Sequence, residues 1–74
     1  MEFEKIRDIV AEVMNMEAEE ITMESTFVDD LGCDSLDIQQ ILLAVQTEFD
    51  VKIPDNAVDG METIGDVVEQ LKQR

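Results

Sequence analysis

Ser35 stands between Asp34 and Asp37, two positions after Cys33 and just beyond the Asp29-Asp30 pair. A hydroxyl, a thiol and several carboxylates so close together raise three chemistries: nucleophilic attack, metal binding and covalent attachment. The first needs a base within hydrogen-bonding reach of the serine. The chain contains no histidine, and Lys5, Lys52 and Lys72 all lie far from Ser35 in sequence. Lys5 and Lys52 could approach it only through the fold. Carboxylate pairs such as Asp29-Asp30 read as solvated loop residues on a small domain, so an enzyme is not expected.

Metal binding fares no better. A calcium loop of the EF-hand type needs acids at alternating positions, a Gly at the sixth and a Glu at the twelfth. Starting at Asp30 places Gly32 at the third position and Ser35 at the sixth; starting at Asp29 places Leu31 and Cys33 at ligand positions. Neither register works, and no metal site is expected. A single cysteine also excludes an internal disulfide and a cysteine-based zinc site. Cys33 reads as a small buried or half-buried apolar residue, with a redox role or a mixed disulfide as the lesser alternative.

Attachment remains. In the first turn of a helix a serine hydroxyl is exposed beside unpaired backbone N–H groups and the positive end of the helix dipole, a favourable place for a phosphate ester. Gly32 permits a sharp approach of the chain and leaves room for a modifying enzyme. On helix physics alone, a plain capping or first-turn serine is the commoner case.

The elements that must position Ser35 follow from periodicity. Residues 2–14 place Phe3, Ile6, Ile9, Val10, Val13 and Met14 at the spacing of a half-buried helix, with charges between them. Asn15 is suited to end that helix in a left-handed conformation. Residues 15–34 have no sustained period; Ile21, Phe27, Val28 and Leu31 are expected to plug the core singly, with Glu19-Glu20 and Asp29-Asp30 facing water. So long a connection is usually functional or disordered, and the spaced anchors favour an ordered crossover.

A second helix is expected over about 35–49, with Asp34 as N-cap and Asp37 in the capping-box position. At about 100° per residue, Ile38, Ile41, Leu42, Val45 and Phe49 fall on one face, the core side. Leu36 and Leu43 fall on the opposite side with Gln40 and Thr47 between them, flanked by Gln39, Gln46 and Asp50. Two leucines on a polar face are the anomaly. Val51-Lys52-Ile53-Pro54 is extended, because the residue before proline is pushed out of the helical region. A short helical turn at Asp55-Asn-Ala-Val58 closes at Gly60. Thr63 then caps a last helix with Asp66 in the box position, a stripe of Ile64, Val67, Val68 and Leu71, and Lys72 and Arg74 at its negative end. The expected fold is all-α: a four-helix bundle of three main helices and one short third helix, with a long loop between the first two, in a single domain over 1–74.

Composition limits the partners. The chain has 74 residues, and a domain of this size buries only about 60% of its unfolded surface. Asp and Glu number 19 against 5 Lys and Arg, for a net charge of −14. No Lys or Arg occurs between Arg7 and Lys52, while that interval holds twelve acids. Such a surface repels nucleic acid and anionic membranes and attracts proteins with basic patches. Met1-Glu-Phe-Glu-Lys5 has no apolar signal-peptide core, and no apolar run approaches the length of a membrane span, so a cytoplasmic monomer without membrane insertion is expected.

Phe27-Val-Asp-Asp-Leu-Gly-Cys-Asp-Ser-Leu-Asp37, followed by Glu48-Phe-Asp-Val-Lys-Ile-Pro-Asp55, resembles the signature of the acyl carrier protein family. The resemblance covers essentially the whole chain. It implies that Ser35, within the Asp34-Ser35-Leu36 triplet, receives 4′-phosphopantetheine from coenzyme A through a phosphopantetheinyl transferase. The thiol of that arm would hold growing acyl chains as thioesters, with no catalysis by the chain itself. It also implies an acyl-chain pocket lined by Ile41, Leu42, Val45 and Ile53. The acyl transferase, ketosynthase, reductases and dehydratase of fatty-acid synthesis would dock on the second helix at Leu36, Asp37, Gln40, Leu43 and Thr47. A dedicated carrier for polyketide, peptidyl or D-alanyl transfer is the alternative within the family, and an unmodified acidic interaction module the alternative outside it. The chain departs from the family at Gln39, Gln40, Gln46 and Thr47, where acids are usual, in its less acidic third helix, and at Cys33, where a small alanine is common.

Overall fold

The first helix, α1, spans Glu2–Met14 in the computed structural model, which describes residues 2–72. Its apolar stripe buries Ile6 and Val10 completely. Asn15 takes φ 54°, and the chain closes on itself through Asn15 N–H to Glu12 O and Met16 N–H to Ala11 O at 3.0 Å. These bonds satisfy carbonyls that the helix end would otherwise leave open.

The crossover 15–34 is ordered by backbone bonding. It contains one 3₁₀ turn at Ala18–Glu20, where Glu17 and Glu20 cap reciprocally. Ile21, Phe27 and Leu31 enter the core, as does Cys33. Val28 does not: it is 63% exposed, against the expectation that it would plug the core. The cause is a tight turn in which Asp30 and Leu31 N–H both donate to Thr26 O. With Phe27 pointing inward, its neighbour is turned to solvent. Ser25, which sequence reasoning passed over, is buried, and its Oγ accepts from Thr22 N–H at 3.0 Å.

α2 spans Ser35–Phe49, α3 spans Asp55–Val58 and α4 spans Ile64–Lys72. α2 buries Ile41, Leu42 and Val45, with Ile38 and Phe49 half-buried beside them. It ends as α1 does, on a left-handed residue: Asp50 at φ 53°, with Val51 N–H donating to Gln46 O. α4 buries Ile64, Val67, Val68 and Leu71, the stripe read from sequence. Lys72 closes its last turn; the expectation for Arg74 lies outside the described residues. α1 packs on both α2 and α4, and among the described residues β pairing is confined to one bridge, Thr26 to Thr63. The radius of gyration, 10.9 Å, matches the ~11 Å of a compact chain this long, so the crossover lies on the bundle. The architecture is the expected all-α bundle of three main helices and one short one.

Gln46 departs from its expected place on the flank of the outer strip. It is half-buried; its Nε2 donates to Leu42 O, and its Oε1 accepts from Ile53 N–H at 2.7 Å. One amide thereby clips the extended 51–54 segment to α2 and holds Ile53 in the core.

Candidate functional site

The start of α2 is assembled in three steps. Thr26 and Asp30 brace the preceding turn reciprocally: Thr26 N–H donates to Asp30 Oδ2 at 2.8 Å and Asp30 N–H to Thr26 Oγ1 at 3.0 Å. Gly32 then takes φ 71°, and the space where a Cβ would sit is open, so backbone conformation is what calls for glycine there. Cys33 N–H returns to Phe27 O at 2.8 Å, which fixes the direction in which the helix is launched.

Asp34 caps α2 as its sequence position implied. Its Oδ1 accepts from Asp37 N–H at 2.9 Å, while Asp37 Oδ2 accepts from Asp34 N–H at 3.2 Å. The cap therefore falls to Asp34, and Ser35 is the first residue inside the helix. Ser35 is exposed, and among the described residues no side-chain hydrogen bond holds its hydroxyl. The N–H groups at the first two positions of a helix have no intrahelical acceptor, so the hydroxyl lies beside donors and the positive helix end.

Neither lysine that the fold could have brought to it stands near it. Lys5 reaches Glu48 at 3.5 Å and lies 5.9 Å from the Phe49 ring centroid, about 20 Å along α2 from Ser35. Lys52 follows the same far end of the helix. Cys33 is buried, with its Sγ 3.5 Å from Met14 Sδ. Burial pushes its thiol pKa up, and the charges of Asp37 and Asp34 add to the rise, which keeps it protonated and unreactive. Among the described residues, no group of three or more His, Cys, Asp or Glu is placed to hold a metal ion. Nor is any helix there long and apolar enough to cross a membrane.

Two grooves flank α2. One, of about 270 Å³, is bounded by 26–29, Ile38, Met61 and Glu62. The other, of about 440 Å³, lies between Gln39, Leu42, Leu43 and Gln46 on α2 and Lys52, Ile53, Asp55 and Val58 opposite. Ser35, Gln39, Leu42 and Gln46 follow one another at i, i+4, i+7 and i+11, a single ridge of the helix. Ser35 thus lies one turn before Gln39, on the ridge that walls the larger groove but outside its lining. Of the four residues expected to line an acyl pocket, Leu42 and Ile53 border this groove. Ile41 and Val45 are fully buried behind it. Of the expected docking residues, Leu36 is 62% and Leu43 65% exposed, with Gln40 exposed between them and Thr47 exposed one turn beyond Leu43. Asp37 is half-buried and engaged in the cap. Gln46 as a bridge, Asp50 as a left-handed terminator and Ser25 as a buried anchor were missed, because each depends on a partner distant in sequence or on backbone geometry.

The residues fit a phosphopantetheine ester: an exposed, unbonded hydroxyl, helix N–H donors beside it, open space at Gly32 and an adjoining groove. Comparison with known proteins agrees. Residues 4–71 match the family described as phosphopantetheine attachment site. The acyl carrier protein of Clostridium perfringens is 46% identical over 71 residues, covering 96% of this chain and 93% of its own. That of Clostridium acetobutylicum is 47% identical over 72 residues, covering 97% and 94%. Among solved structures, a Mycobacterium tuberculosis protein assigned as an acyl carrier protein superposes with a TM-score of 0.92 at 29% identity, over 99% of this chain and 97% of its own. The acyl carrier protein of Enterococcus faecalis gives 0.80 at 26% identity, over 97% and 91%. Together these place the chain in the acyl carrier protein family, as a carrier with covalently attached 4′-phosphopantetheine.

Proposed function

We propose that this chain is a single acyl carrier domain over 1–74, modified on Ser35, that holds growing acyl chains for fatty-acid synthesis. The observation that carries the reading is the Ser35 hydroxyl: exposed, unbonded within the chain and set in the first turn of a capped helix. Asp34 holds the helix start in shape, and the first N–H groups of α2, beside Ser35, would favour the negative charge of a phosphate ester there. The bound arm supplies a thiol on which acyl groups are held as thioesters. Leu42 and Ile53, in the groove that begins one turn beyond Ser35, would offer apolar cover to such a chain, with Ile41 and Val45 buried in the core.

Catalysis is left to the partners: a phosphopantetheinyl transferase, and the acyl transferase, ketosynthase, reductases and dehydratase that dock around Leu36, Gln40, Leu43 and Thr47, with Asp37 at the rim. The carrier acts as a cytoplasmic monomer. A net charge of −14 supports both the monomeric state and the absence of nucleic-acid and membrane partners.

The test is direct. Purified protein incubated with coenzyme A, magnesium and a broad-specificity phosphopantetheinyl transferase should gain the mass of one phosphopantetheine group, and Ser35→Ala should not. A folded wild-type protein that gains nothing would return the chain to an unmodified interaction module. A second reading, a dedicated carrier outside fatty-acid synthesis, is favoured by the exposed, uncharged Gln39, Gln40 and Thr47. Loading by a fatty-acid malonyl transferase separates the two, since a dedicated carrier should be a poor acceptor.

A further inference from the structure

In this chain 32% of residues are charged, yet the ten residues 38–47 contain no charge at all. The outward side of that stretch carries Gln39, Gln40, Leu43 and Thr47, and Leu36 extends it by one turn. Leu36 and Leu43 lie about 10 Å apart along the axis and are among the most exposed large apolar side chains of the described residues. Negative charge is displaced to the edges: Asp29, Asp34 and the cap-engaged Asp37 at the helix start, Glu48 and Asp50 at its close, and Asp55 of α3 across the adjoining groove. Glu48 is already paired with Lys5. An uncharged, partly apolar stripe therefore crosses an otherwise acidic molecule.

Burial under a partner treats such a stripe differently from a row of carboxylates. Covering leucines is favourable at about 25 cal/mol per Å², and amides lose less than carboxylates on leaving water. A cation buried over Gln40, Leu43 or Thr47 would be desolvated with no countercharge on the stripe itself, which is costly. Cations remain useful at the edges, near Asp29, Asp34, Asp37 and Asp55, where they steer encounter. A second copy of this chain is a poor occupant, because two molecules of charge −14 repel.

Building on the reading of Ser35 as the attachment site and α2 as the docking helix, we propose that this stripe selects acyl-transferring enzymes of one kind. Their docking patch is apolar and neutral opposite Leu36, Gln40, Leu43 and Thr47, with basic side chains only at its edges, by Asp29, Asp34 and Asp37 at the helix start and Asp55 across the groove. Discrimination comes from the unpaired charge that a uniformly basic patch would bury.

The test uses full-length protein, first converted to the phosphopantetheinylated form and checked by intact mass. Acyl-loaded protein is then offered to two ketosynthases of known structure: one with Arg and Lys lining its docking patch, one with an apolar, neutral patch centre. The expected kcat/KM is about tenfold or more in favour of the second. The double variant Q40E/T47E, shown to be folded by its melting temperature, should shift the preference towards the basic patch. Equal kcat/KM with both enzymes, or a preference for the basic patch in the wild type, would overturn this inference and leave the attachment reading intact. Failure to gain the phosphopantetheine mass would overturn both.

Discussion

The starts of α2 and α4 are built with the same device and finish with opposite properties. Each has a short polar N-cap and an aspartate three residues on: Asp34 with Asp37, and Thr63 with Asp66. At α4 the helix start is sewn into the molecule. Ile64 N–H donates to Ser25 O at 3.1 Å, Gly65 N–H to Met23 O at 2.9 Å, and Asp66 Oδ2 accepts from both Glu62 and Thr63 N–H. Ile64, the first residue inside, is fully buried. At α2 the first residue inside is Ser35, exposed and unbonded, with no crossover strand laid against its N–H groups. The same kind of capping box thus forms part of a clamp at one helix and leaves a site open at the other. The cap shapes a helix start; the neighbouring chain decides whether its donors remain available.

The sharpest way to break this comparison is to truncate the two first residues. Ile64→Ala should cost about 2–5 kcal/mol in denaturant unfolding, as fully buried aliphatics do. Ser35→Ala should stay within about 0.5 kcal/mol while removing the attachment point. Similar losses at both would mean that the α2 start is packed as tightly as that of α4.

A second contrast concerns the box aspartates. Asp66→Ala should destabilise by about 1–2 kcal/mol and Asp37→Ala by roughly half of that, since Asp66 accepts one more backbone N–H. The backbone N–H groups of Glu62 and Thr63, helped by the Thr63 hydroxyl, hold the Asp66 carboxyl below its ordinary value, against a small opposing effect of burial. A carboxylate with a depressed folded pKa contributes stability that is present above its unfolded value, about 3.9, and is lost as pH falls towards the folded one. Asp66→Asn should therefore flatten the acid limb of the stability profile; an unchanged limb would remove Asp66 from that role.

Smaller effects probe the approach to Ser35. Gly32→Ala places a Cβ at φ 71° and should cost about 1 kcal/mol through strain, with no clash to relieve. Gly32→Asn should recover part of it, which thermal melts can resolve. Smallest in stability are Leu36→Ala and Leu43→Ala, expected within about 0.5 kcal/mol because both side chains already face water. Their effect should appear as slower loading or elongation. A sharp fall in melting temperature would place those leucines in the core.

Elements whose partners are near in sequence are legible in the sequence itself. α1, the capping boxes at Asp34 and Thr63, the outward Leu36 and Leu43 and the left-handed Asn15 all follow from short-range periodicity and chain geometry. Val28 was misplaced because the turn that rotates it outward depends on Thr26 and Asp30, a pairing with no periodic signature. Gln46 and Ser25 were missed because their bonding reaches Ile53 and α4 across the fold.

The sequence by itself determined which residues can carry chemistry here. The absence of histidine removes the nucleophile's usual base, and the order Gly32, Asp34, Ser35 sets a hydroxyl in the first turn of a capped helix. Tertiary structure decided which donors stay free. The 23–26 segment folds against α4 and consumes its first N–H groups, while α2 starts at the surface with its own uncovered. Helix termini carry the same orphan donors wherever they occur, so whether they become a binding site is a matter of what packs over them.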